Sequence, residues 1–251
     1  MNSTLTLVRI EWFKLRTTPA LAVSFAATLV LAVLAGATNV LLAGQKGLAD
    51  LGTPDNAGKV LAVGAVTSTV MLVIGIVIGA GEHRDRTVVG TLLAEPRRGR
   101  VLAAKLAAAG SVGAAVGASV FVVTYAVAVP LFALRGVHTL PVDVPGLALG
   151  TVLVTGCYGL LGVALGALTR NLMAAIVAGL VWVTVVELAI LQPLAPSLAK
   201  WLPTGAAVAL TTVRHAGDQL LAPGAAALVL LGWALTVCAV AMGTSVRREV
   251  R

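Results

Sequence analysis

Apolar residues in this chain come in long runs separated by short polar segments. A helix needs about 20 predominantly apolar residues to cross the hydrocarbon core of a bilayer. Six stretches meet that length: residues 19–42, 60–80, 106–133, 147–168, 172–191 and 225–242. The pattern predicts an all-α, polytopic membrane protein whose residues 1–251 form a single transmembrane domain. The first run is longer than the 7–15 apolar residues typical of a signal peptide, so it reads as a retained span. The third lies within a longer apolar run, 101–134. That run would reach about 51 Å as a helix at 1.5 Å per residue, against a hydrocarbon core of about 30 Å. It should therefore begin in the cytoplasm, with Lys105 snorkelling to the interface and Pro130 bending its outer end.

Composition agrees with this reading. The chain is 59% hydrophobic and 11% charged, with a mean hydropathy of +1.00. A soluble domain has about a quarter of its residues charged. The net charge of +8 sits between apolar runs with few aromatics nearby. It marks topology and attraction to anionic lipid, and nucleic-acid binding is not expected. Cys157 and Cys238 fall inside apolar runs and read as small buried hydrophobes. His83, His138 and His215 lie in or near loops, and no Cys/His cluster suggests a metal.

The basic residues decide orientation. Segments 1–18, 81–105, 169–171 and 243–251 carry thirteen of the eighteen, and segments 43–59, 135–146 and 192–224 carry five. The positive-inside bias therefore places both termini, and residues 81–105, in the cytoplasm of a cell-membrane protein.

Residues 1–18 show Leu5, Val8, Trp12 and Leu15 at helical spacing, with Arg9, Glu11, Lys14 and Arg16 filling much of the rest. This suits an interfacial helix with Trp12 at headgroup depth and its bases toward lipid. The plain alternative is a basic flank of the first span. Residues 192–224 contain apolar groupings broken by Pro196 and Pro203. They predict short re-entrant or surface helices over the outer end of the bundle, one of them after Thr204. Pairs of small residues four apart recur: Gly75/Gly79, Gly113/Gly117, Gly146/Gly150 and Gly162/Gly166. Such pairs let helix backbones approach closely. Glu187 is the one acid within a span. An intramembrane carboxylate is a candidate polar site; the alternative is an interfacial carboxylate that reaches outer water.

The segment GEHRDRTVVGTLLAEPRRGR, residues 81–100, holds eight of the 28 charged side chains. Val88, Val89, Leu92 and Leu93 fall on one helical face. Glu82 and Asp85 precede them and favour a helix N-terminus, and Pro96 after Glu95 ends the helix. The expected product is a short amphipathic cytoplasmic helix between spans two and three, and the plain alternative is a polar connector.

Glu82, then Gly90-Thr91-Leu92-Leu93, then Pro96-Arg97-Arg98 and Ala104-Lys105, resembles the pattern of ABC type-2 exporter permeases. The gap between Glu82 and Gly90 is longer than in that pattern. IEWFKLRTTP, residues 10–19, is similar to the family's interfacial helix. GLLGVALGALTRNLMAAIVAGLVW, residues 159–182, is similar to its fourth and fifth spans joined by a tight basic turn. The resemblance covers nearly the whole chain. It implies an exporter permease whose cytoplasmic helix couples to an ATP-binding-cassette ATPase subunit. Val88, Val89, Leu92 and Leu93 would dock around the Gly90-Thr91 step, and Glu82, Pro96, Arg98 and Lys105 would hold the ends of the loop. It also implies a dimer of permeases, since six spans are half of the usual twelve.

A P-loop needs GxxxxGK[ST], and none of Lys14, Lys46, Lys59, Lys105 or Lys200 is followed by Ser or Thr. The chain is therefore expected to bind no cofactor and to be no enzyme, with ATP and Mg on the partner ATPase. Two other classes share the topology. A membrane assembly or regulatory subunit would need no ATPase docking. An intramembrane enzyme would need convergent polar residues that Glu187 alone does not supply.

Overall fold

A computed structural model describes residues 3–17, 19–42, 60–62, 64–84, 98–136, 143–213 and 220–247. The described residues are helical, without a strand. In chain order the helices are α1 (Ser3–Thr17), α2 (Pro19–Leu42), α3 (Gly64–Arg84), α4 (Arg98–Leu134), α5 (Val144–Thr169) and α6 (Leu172–Leu180). A π-helix, Val181–Leu191, continues α6. Three short helices follow, α7 (Gln192–Leu194), α8 (Pro196–Ala199) and α9 (Pro203–Thr211), and α10 (Pro223–Arg247) is the last.

Among the described residues, four helical stretches are long and apolar enough to cross a membrane: Gly99–Leu134, Val144–Thr169, Leu172–Leu194 and Pro223–Ser245. Two shorter apolar stretches, Ala22–Thr38 and Thr67–Gly81, lie within α2 and α3. The chain has the character of a membrane protein.

Helix α5 stands at the centre of the bundle, with α3, α4 and α10 packed around it. Its contacts explain the small-residue spacings. A Cβ added at Gly162 would lie 2.9 Å from the Gly75 Cα, and one at Gly166 2.7 Å from the Ile76 carbonyl oxygen. A Cβ at Gly113 on α4 would lie 2.6 Å from the Thr155 carbonyl oxygen. Thus Gly75/Gly79 face Gly162/Gly166, and Gly113/Gly117 face the Thr151–Gly156 stretch of α5. These helices meet backbone to backbone, and any larger side chain would separate them. The fourth pair divides its work: Gly150 abuts the Leu210 backbone of α9, while Gly146 lies in the first turn of α5.

Local capping sets the turn between α5 and α6. Arg170 adopts φ 52°, the left-handed conformation that ends a helix, and donates its N–H to the Gly166 carbonyl. Asn171 then caps α6, its Oδ1 accepting from the Ala174 N–H at 3.1 Å. Asp143 does the same for α5, accepting from Gly146 N–H at 3.0 Å. Helix α4 runs unbroken through Pro130 and ends at Leu134. Beyond it Arg135 donates to the Leu41 carbonyl at 2.9 Å, satisfying an acceptor at the end of α2.

Candidate functional site

Two buried polar clusters stand out. The first lies where α1, α3 and α4 meet. Glu11 on α1 is 6% exposed and Lys105 on α4 is 7% exposed. The Lys105 Nζ lies 3.8 Å from Glu11 Oε2 and donates to the Ile78 carbonyl of α3 at 3.3 Å. Lys14 pairs with the other oxygen, Oε1, at 2.9 Å. Trp12 donates its indole N–H to Ser111 Oγ at 3.1 Å, further along α4.

Lys105 therefore does not snorkel; its ammonium points into the bundle, where a carboxylate and a helix carbonyl receive it. Helix α1 departs from the predicted pattern at two positions. Glu11, placed among the polar residues by periodicity, is buried, and Trp12, from the apolar stripe, is partly exposed. Arg9 is exposed and Arg16 lies on α1. Glu82 lies in the last turn of α3, and Arg98 is the first residue of α4. The expected docking face, Val88, Val89, Gly90, Thr91, Leu92 and Leu93, lies outside the described residues together with Pro96.

The second cluster surrounds Glu187, which is 1% exposed. Its Oε1 accepts a hydrogen bond from the Trp182 indole N–H, and its Oε2 accepts from the Thr204 backbone N–H at 2.8 Å. The Thr204 hydroxyl lies 3.3 Å from the hydroxyl of Tyr158, itself 1% exposed. The alternative reading, a Glu187 carboxylate that reaches outer water, does not fit this burial. Two features bury it. The helical stretch continues three residues beyond Leu191 to Leu194. The buried N-terminus of α9, Pro203 and Thr204, then folds back over it.

The π-helix makes the Trp182–Glu187 bond possible. In an α-helix, residues five apart point about 140° away from each other. In a π-helix the i→i+5 hydrogen bond stacks them, as the Gln192 N–H to Glu187 carbonyl bond shows at its end. The sequence Val181-Trp182-Val183-Thr184-Val185-Val186 favours this departure, because β-branched side chains crowd the preceding turn of an α-helix. A period of 3.6 residues does not place Trp182 and Glu187 on one face. The β-branched run and the five-residue interval were the available signals.

Beside Glu187 is a cavity of about 290 Å³. Its floor is α5 and α3, with Tyr158, Leu161 and Leu72; its sides are the π-helix and α10. Trp182 and Trp233, both partly exposed, border it. Trp233 is held by its indole N–H, which donates to the Trp201 carbonyl at 2.9 Å. The cavity wall is almost wholly apolar, with Glu187 and Tyr158 among the residues that line it.

No protein-family model matches this sequence, and no curated protein matches it significantly. Among the described residues, no group of three or more His, Cys, Asp or Glu side chains is placed to hold a metal ion.

Proposed function

We propose that this chain is the membrane-spanning permease subunit of an ABC-type exporter in the plasma membrane. It would have six spans, and both termini would be cytoplasmic. The observation that carries this reading is the buried tie of Glu11, Lys105 and the Ile78 carbonyl. The tie joins the N-terminal helix to the two helix ends that flank residues 85–97. A segment that receives force from an ATPase needs roots that move together. A buried charge held by an ion pair and a helix carbonyl couples those roots rigidly. A connector that served only topology would need no such frame.

Two more features support the reading. Helices α2 and α3 carry shorter apolar cores that add to the four longer stretches, which is consistent with six crossings. Backbone-to-backbone packing of α3 on α5 also gives a rigid unit through which a displacement at one end reaches the other. Energy would come from a partner ATPase carrying ATP and Mg. A second permease copy or homologue would complete the pathway, and two halves would alternate in their exposure to the two sides.

The test is co-expression with an ATP-binding-cassette ATPase encoded beside this chain, followed by co-purification. The expected result is a complex that the double substitution Leu92→Asp/Leu93→Asp abolishes. A complex and a coupled ATPase rate that both survive the substitution would defeat the proposal.

A further inference from the structure

Glu187 presents an unusual electrostatic situation. Its carboxylate is buried in an apolar region of the bundle, and both oxygens are met only by neutral N–H donors, from Trp182 and Thr204. Among the described residues no lysine or arginine pairs with it. A carboxylate offers about four lone-pair sites, more than these two donors fill, and Glu187 is one of the residues lining the adjacent cavity. A negative charge removed from water without a counter-ion is costly, and a cation in contact with it recovers much of that cost.

The cavity beside it has the other half of a recognition site. Its walls are aliphatic and aromatic, which suits a hydrocarbon body. The indoles of Trp182 and Trp233 stand at its border, and an indole face is the best aromatic partner for a cation. Trp233 is fixed by its bond to the Trp201 carbonyl. Trp182 is fixed by its bond to Glu187. Both rings are therefore set in place before any ligand arrives, which lowers the entropic cost of binding.

We infer that the cavity between the π-helix and α10 binds a lipophilic cation, with its charge against Glu187 and its apolar body between Trp182 and Trp233. A lipophilic anion would meet Glu187 with like charge. A neutral hydrocarbon would leave the carboxylate uncompensated. As cargo, such a cation would rest on the exporter reading; as a ligand of this chain it does not. Binding is therefore the property to measure, and neither partner ATPase nor transport enters the assay.

The experiment uses the full chain in phosphatidylcholine nanodiscs, with empty nanodiscs subtracted for partitioning. The probes are tetraphenylphosphonium and tetraphenylborate, which share a shape and differ in the sign of charge. The expected result is saturable binding of the phosphonium and none of the borate. Glu187→Gln should weaken phosphonium binding at least about tenfold, a change worth about 1.4 kcal/mol. Ala178→Trp fills the same cavity from an exposed position while keeping the carboxylate, and should weaken binding to a similar degree. This second variant decides the matter if Glu187→Gln fails to fold. Absence of saturable phosphonium binding to the wild type overturns the inference. So does equal affinity for the two ions, or wild-type affinity in either variant shown to be folded by gel filtration. The docking test described above can fail without affecting this result, and the reverse also holds.

Discussion

Glu11 and Lys105, far apart in sequence, form a buried ion pair with the Lys105 Nζ 3.8 Å from the Glu11 Oε2. Both side chains are almost wholly removed from solvent. Lys105 also donates to the Ile78 carbonyl, and Glu11 also receives Lys14. The pair therefore sits in a network that ties three helices at the ends expected to face the cytoplasm.

Removing one member of a buried pair leaves the other without compensation. Glu11→Gln should destabilise the fold by roughly 3 kcal/mol, the lower part of the range for such pairs. The double variant Glu11→Gln/Lys105→Met should lose less than the sum of the two single losses. Thermal unfolding of the three variants in one detergent measures the coupling. Strict additivity would remove the pair from the account of how α1 is held.

Two glycines, Gly162 on α5 and Gly232 on α10, predict opposite effects for one chemical change. Gly162→Ala places a methyl group 2.9 Å from the Gly75 Cα, where only backbone could yield. Overpacking of that kind costs about 1–3 kcal/mol. Gly232→Ala on α10 meets no atom within 4 Å, and alanine is the better helix former by about 1 kcal/mol. Melting temperatures should therefore fall for the first and hold or rise for the second.

Trp182→Phe keeps an aromatic ring and removes the N–H that Glu187 Oε1 accepts. A buried acceptor left without its donor costs about 1–3 kcal/mol. Unfolding followed by circular dichroism should show a loss in that range. An unchanged melting temperature would mean that the indole bond contributes nothing to holding the carboxylate.

The turn between α5 and α6 can be tested from both sides. Asn171→Ala removes the cap accepting from Ala174 and should cost about 1 kcal/mol. Arg170→Gly relieves a left-handed residue at φ 52° and should stabilise by up to about 1 kcal/mol. Denaturant midpoints of the two variants should move in opposite directions.

Orientation has its own measurement. An alkaline-phosphatase fusion after Gln45 should be active and one after Asp85 inactive, because the positive-inside bias puts the second in the cytoplasm. The reverse activities would invert the topology.

Sequence and structure divided their contributions along physical lines. Long apolar runs specify helices without reference to neighbours, since a lipid environment forces each segment to satisfy its own backbone. The helical class, the membrane character and the sites of the longer helices were therefore legible from residues alone. The glycine spacings were legible as candidates, but chance pairs in a chain with 27 glycines look the same. Tertiary packing chose among them. It set Gly75/Gly79 against Gly162/Gly166, and it left Gly232 facing open space. The burial of Glu11 was also decided there. Periodicity assigns a charged residue to the outside unless a partner waits inside, and Lys105 lies on another helix. Glu187 shows the same limit most sharply. Its position within an apolar run was visible in the chain. Its burial depended on a π-helix that brings Trp182 into line and on Thr204 returning from a separate helix, and both are consequences of three-dimensional packing.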